Sequence, residues 1–176
     1  MVGAANHEKD AATRWRVAPW DTVPALIHGF LGRADGLGPG AFDLAAIRRR
    51  LAGVVERGVA ALVDRYGAAP DTVQAAVGPA ICGTCYEFGA EYLREFVARY
   101  GADAETAWRP GASSERGYLD VRRLATIALG HAGLAPDAVS LVGPCTAEHP
   151  RALHSYRRDG AGAGRQLSYV GWRADR

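Results

Sequence analysis

Two close pairs of soft ligands stand out first: Cys82-x2-Cys85, and Cys145-x3-His149 further along the chain. Zinc accepts thiolate and imidazole together, so Cys82, Cys85, Cys145 and His149 can be read as a tetrahedral structural site. The same residues also read as packed thiols, because Cys82 follows Ile81, Tyr86 follows Cys85, and unpaired cysteine is among the most buried residue types. A third reading is nucleophilic. A cysteine acts as a nucleophile when a base, a cation or a helix N-terminus favours its thiolate. Cys85 precedes a predicted helix, and Cys145 stands shortly before His154, Arg157 and Arg158.

A second cluster is Ser155-Tyr156-Arg157-Arg158-Asp159-Gly160, followed by Gly164-Arg165-Gln166. Arginines around a glycine-rich loop can hold phosphate or carboxylate through bidentate side chains and backbone N–H groups. Equally, Asp159 can pair with an arginine and leave the loop as a simple connection. The loop fits no nucleotide fingerprint.

The elements that must position these residues are legible in outline. Residues 1–13 are polar, Ala-rich and expected to be disordered, and Trp15 to Leu31 reads as one or two strands. Gly36-Leu37-Gly38-Pro39-Gly40 is a loop. From Phe42 to Tyr66 apolar residues recur at helical spacing, with Asp43 as N-cap and Gly67 as stop. Val73 to Val77 is a strand ending at Gly78-Pro79, and the chain then turns through Cys82 and Cys85 into Tyr86-Glu87-Phe88. Glu91 to Tyr100 is a helix, Trp108 to Arg116 a loop, Asp120 to Ala132 a helix stopped by Gly133, and Val139 to Val142 a strand entering Gly143-Pro144-Cys145. Two strands thus run into a Gly-Pro turn followed by cysteine. Leu153 to Trp172 mixes strand-forming tyrosines with a glycine loop. Alternating helices and strands give an α/β class, an α+β layered sandwich.

With 176 residues and 48% hydrophobic content, one domain is expected, spanning 14–176. A net charge of only +2 gives no long-range pull towards nucleic acid or an anionic membrane, so any anion recognition must be local. Lys9 is the only lysine, and the arginine bias reads as well from base composition as from binding. The sequence has no long apolar span or secretory core, and three cysteines make an odd number for a disulfide framework; a cytoplasmic location is expected.

The motifs also resemble a known family. His28-Gly29-Phe30 with Arg33, Gly78-Pro79-Ala80-Ile81, Cys85-Tyr86-Glu87 with Gly89, Leu119-Asp120, Cys145-Thr146 and the Ser155-to-Gln166 cluster together resemble the laccase-domain family. That family is also described as polyphenol-oxidase-like, as purine nucleoside phosphorylase type and as peptidoglycan editing factors. The resemblance implies an α/β fold similar to toxin-type cysteine hydrolases, phosphorolysis of adenosine-, inosine- or guanosine-type nucleosides, and adenosine deamination. A member of this family with a rebuilt site would use Cys85, Cys145, His154 and His28 as catalytic residues, with His154 as acid or base, and Arg33, Arg157, Arg158 and Arg165 to hold phosphate or a carboxylate, its expected partner being a small nucleoside or phosphate-bearing molecule.

Family members bind zinc through two histidines and a cysteine drawn from a Gln-Val-His-Gly turn, an Ala-Asp-Cys turn and a His-Ala-Gly-Trp-Arg-Gly helix start. None of these motifs occurs here. Ala45 to Gly53 can be laid against the third, with Ala45 in place of the metal-binding histidine and Arg49 keeping the arginine. The other two fall in a stretch of the N-terminal half that this chain lacks; alternatively Arg48 to Leu51 belongs to an earlier family helix and the junction falls a few residues later, with the same consequence for the ligands. Zinc is therefore an option only through Cys82, Cys85, Cys145 and His149, and no cofactor is required. Losing central strands leaves unpaired backbone groups, so homodimerisation is a further expectation. The expectations are three: an enzyme with a rebuilt site, which includes a metal-free cysteine-dependent one; a non-catalytic binding or assembly relative; and a protein holding a structural metal.

Overall fold

The computed structural model describes residues 14–23, 26–31 and 53–172. Contacts group the chain into two units, Met1–Gly40 with Val142–Arg176, and Ala41–Leu141.

In the first unit, β1 (Arg14–Trp15) pairs antiparallel with β2 (Leu26–Leu31). The far edge of β2 receives the C-terminal strand, Ser168–Trp172, in register His28↔Val170 and Phe30↔Ser168. Of the one or two strands anticipated between Trp15 and Leu31, two are present, and the first and last described strands flank β2 in one sheet. Val17 and Leu153 are the most deeply buried large side chains, with Trp15, Cys145 and Ala163 also buried.

The second unit opens with α1 (Val54–Tyr66), whose spacing of Val55, Val59, Leu62 and Val63 gives it one apolar face. Gly67 ends it in a left-handed conformation (φ 67°), its N–H bonded to the Leu62 and Val63 carbonyls. Only glycine takes that backbone cheaply. The expected beginning of this helix, from Phe42 with Asp43 as cap, lies outside the described residues. β3 (Ala75–Val77) follows, then β4 (Glu87–Gly89) and α2 (Ala90–Tyr100).

Next comes a departure from expectation. Trp108 to Arg116 reads as a loop, yet Trp108–Pro110 forms β5 and pairs antiparallel with β6 (Arg116–Leu119), which pairs on its other edge with β4. Its sequence hides the hairpin, because glycine, proline and serine dominate Pro110 to Ser114. Tertiary contacts compensate: the Arg109 guanidinium lies 4.4 Å from the Tyr118 ring centroid across the pair. At Gly117 a Cβ would strike the Trp108 indole, so that close approach requires glycine.

α3 (Val121–His131) is capped by Asp120, whose Oδ1 accepts the Arg122 and Arg123 N–H groups at 3.0 Å each. β7 (Val139–Leu141) lies parallel to β3 in register Ala75↔Val139 and Val77↔Leu141. The two strands anticipated to enter Gly-Pro turns are thus direct neighbours. One cluster packs Val59, Leu129 and Leu134 against β3 and β7; another packs Tyr100, Ala104, Leu119 and Ile127 beside Phe88 and Trp108. This unit is an α/β arrangement.

Candidate functional site

In the unit that holds both chain ends, Arg158 is the hub. It sits on a single helical turn, α4 (Tyr156–Asp159), and all five of its N–H groups are engaged inside the protein. Nε donates to Asp159 Oδ1 at 2.7 Å and Nη2 to Asp159 Oδ2 at 2.6 Å, a bidentate pair. Nη1 donates to the carbonyls of Thr146 (2.8 Å) and Ala147 (3.2 Å), and Nη2 also to that of Leu153 (2.9 Å). Hydrogen bonding to the Asp159 carboxylate raises the already high pKa of Arg158. The residue read from the sequence as a substrate-binding arginine therefore has no N–H left over for a ligand. What it holds is the loop between Cys145 and Ser155.

That loop carries the other candidates. Cys145 is buried and within electrostatic reach of the Arg158 charge. His149 Nδ1 lies 3.0 Å from the Cys145 carbonyl. A carbonyl only accepts, so Nδ1 carries a proton here, and in the neutral ring Nε2 is then the acceptor. A Glu148 carboxylate oxygen comes within 4.8 Å of the Cys145 sulfur, a neighbour that sequence spacing did not single out.

His154 has the opposite tautomer. The Gly164 N–H donates to its Nδ1 at 3.2 Å, so neutral His154 carries its proton on Nε2. Gln166 Nε2 donates to the His154 carbonyl at 2.9 Å and fixes the backbone as well. In this tautomer Nε2–H is a hydrogen-bond donor, and protonation to the imidazolium would require Nδ1 to give up the Gly164 N–H. Arg165 donates from Nη1 to the carbonyls of Ala163 and Gly164, while Arg157 is exposed at the end of α4. His28 lies on β2 opposite Val170, and Arg33 falls outside the described residues.

In the second unit, Cys82 and Cys85 occupy a tight turn. The N–H groups of Cys85 and Tyr86 both donate to the Cys82 carbonyl, at 3.0 and 3.1 Å. The two sulfurs lie within 4.8 Å, and none of the three cysteines is in a disulfide. Cys82 Sγ is 3.0 Å from the Thr84 hydroxyl. The turn presses on the start of α3: a Cβ on Gly83 would stand 2.9 Å from Asp120 Cβ. Beside it opens a cleft of about 380 Å³ whose walls include Cys82, Thr84, Trp108, Arg109, Tyr118 and Asp120. Of these, sequence reasoning had no means of placing Trp108, Arg109 and Tyr118, because the hairpin that brings them together is a tertiary feature.

The four residues read as a structural zinc set divide between the units, Cys82 and Cys85 in one and Cys145 and His149 in the other.

The chain's residues 47–173 match the family model described as multi-copper polyphenol oxidoreductase laccase. The chain belongs to this laccase-domain family. A purine nucleoside phosphorylase of Pseudomonas aeruginosa is 35% identical over 164 residues, covering 90% of this chain and 65% of that protein. The purine nucleoside phosphorylase YlmD of Bacillus subtilis is 31% identical over 108 residues, covering 61% of this chain and 38% of that protein. Among solved structures, YlmD from Geobacillus stearothermophilus superposes with a TM-score of 0.64 at 25% identity, covering 69% of this chain and 45% of its own. The chain thus spans from 38% to 65% of the length of these two curated relatives.

The zinc that the resemblance implies needs two histidines and a cysteine. Among the described residues no such trio comes together. His149 and His154 each have Nδ1 in a backbone hydrogen bond, and Ala45 falls outside the described residues. The described residues do not fit that site.

Proposed function

We propose that the chain acts on purine nucleosides by phosphorolysis, with a site rebuilt without the family's zinc ligands. The observation that carries this reading is the match, over nine-tenths of this chain, to a relative named for that activity. In phosphorolysis a phosphate oxygen attacks C1′ of the ribose, the bond from C1′ to the base breaks, and the departing purine takes up a proton. The attacking dihydrogen phosphate can supply that proton, while the Nε2–H of neutral His154, whose backbone and Nδ1 are held, is a hydrogen-bond donor for the purine nitrogen that gains charge. Arg157 and Arg165 are the candidates for phosphate, with Arg158 holding the loop rather than the ligand. Cys145, Cys85, His28 and Arg33 enter as further candidates of the rebuilt site, and adenosine deamination by family resemblance alone. The reading also takes the chain to work in a reducing, cytoplasmic setting, which its three thiols support.

The test is release of free purine from inosine, guanosine and adenosine, with and without inorganic phosphate, before and after chelation. Phosphate-dependent release that survives the chelator, and falls by about 100-fold or more in kcat/KM in His154→Ala, is the expected result. Nucleoside that raises the melting temperature without any product points instead to a non-catalytic binding relative.

A further inference from the structure

We propose that Cys82 and Cys85 form a redox-active dithiol, with Cys82 as the attacking thiol, Cys85 as the resolving thiol, and a small disulfide of the glutathione class as oxidant. The proposal rests on three observations within one unit; it shares Cys85 with the nucleoside reading, and its test reads thiol oxidation rather than turnover.

The first is proximity. The Cys85 N–H donates to the Cys82 carbonyl at 3.0 Å, which closes a turn. Such a turn keeps its first and fourth Cα atoms under roughly 7 Å, overlapping the span that a disulfide bridges. The sulfurs are already within 4.8 Å, so bonding needs side-chain rotation and little backbone movement. Gly83 against Asp120 keeps the turn seated on the start of α3.

The second is access. Both thiols are only partly buried, and Cys82 lines the open cleft beside β5 and β6. The third is the setting of Cys82. The Thr84 hydroxyl lies 3.0 Å from Cys82 Sγ and, as donor, stabilises its thiolate. With its place in the cleft wall, this assigns the first attack to Cys82.

The exchange balances. Cys82 loses its proton and attacks one sulfur of the small disulfide, whose S–S bond breaks to release one thiol carrying that proton. Cys85 loses its proton and attacks Cys82 Sγ in the mixed disulfide, releasing the second thiol. Two protein thiols are oxidised by two electrons and one small disulfide is reduced to two thiols. Closure removes the contact between Cys82 and Thr84 and reshapes the cleft wall.

The test uses the full chain in oxidised and reduced glutathione at graded ratios, quenched by alkylation, with intact mass and peptide mapping. Loss of two hydrogens, mapped to a bond between Cys82 and Cys85 and reversed by reduced glutathione, is expected. Cys85→Ser should stop with one glutathione on Cys82, and Thr84→Val should slow alkylation of Cys82 severalfold with an unchanged circular dichroism spectrum. A bond that includes Cys145, a persistent glutathione adduct on the wild type, or no closure where a reference dithiol peptide closes would each overturn the proposal. Should Cys85→Ser fail to fold, the wild-type peptide map alone decides.

Discussion

Arg158 shows how far a side chain's role depends on where its donors go. Its guanidinium joins three carbonyls and a carboxylate, and lysine can reproduce neither the fork nor the number of donors. Arg158→Lys is therefore expected to cost about 2 kcal/mol, seen as a lower urea midpoint at constant slope. Glu56 makes a second residue-scale case. Its Oε1 accepts from Tyr100 Oη at 2.8 Å and from Arg99 Nε at 3.0 Å, while Oε2 is buried with no hydrogen bond among the described residues. Burial pushes its pKa up, but hydrogen bonds from its own backbone, Tyr100 and Arg99, with the Arg99 charge, outweigh that and hold it below the ordinary carboxylate range. A depressed folded pKa gives stability that is full above the unfolded value and is lost as pH falls through the folded one. Glu56→Gln should accordingly be less stable than wild type at neutral pH, with the gap narrowing in acid; melting temperatures across an acid series measure this.

Among the elements, α3 depends on its cap. Asp120→Ala removes the acceptor for two helix N–H groups and should cost about 1 kcal/mol, whereas Asp120→Asn should keep most of that, as thermal unfolding would show. The legible elements were those with a local signature: α1 and α3 from helical spacing and glycine stops, β3 and β7 from short apolar runs before Gly-Pro. The β5–β6 hairpin was not legible. Its register, Trp108↔Leu119 and Arg109↔Tyr118, is held by an edge against β4 and by an indole lying on Gly117, none of which leaves a periodic trace.

At the scale of the whole molecule, the chain covers only part of its relatives' length, and the phosphorylase activity in their names is a proposal for it. A ligand that binds the folded chain raises its melting temperature by mass action. Inosine with phosphate should therefore stabilise the wild type, and Arg157→Ala with Arg165→Ala should lose that shift, each read against the same variant's melting temperature without ligand. Among the described residues no helix is long and apolar enough to cross a membrane.

By itself the sequence determined the family, through the Ser155-to-Gln166 cluster and the Gly78-Pro79 and Cys145-Thr146 turns, together with the absence of the zinc motifs and the positions of the main helices. These are matters of residue order and local spacing, which a chain carries before it folds. Only the tertiary structure decided that Arg158 is committed to its own loop, that His149 and His154 hold opposite tautomers, and that a hairpin builds a cleft beside the Cys82 turn. The physical reason is common to all three. Where a donor finds its acceptor, and which strand edge finds a partner, depends on where folding places backbone groups, and residue spacing alone does not fix those places.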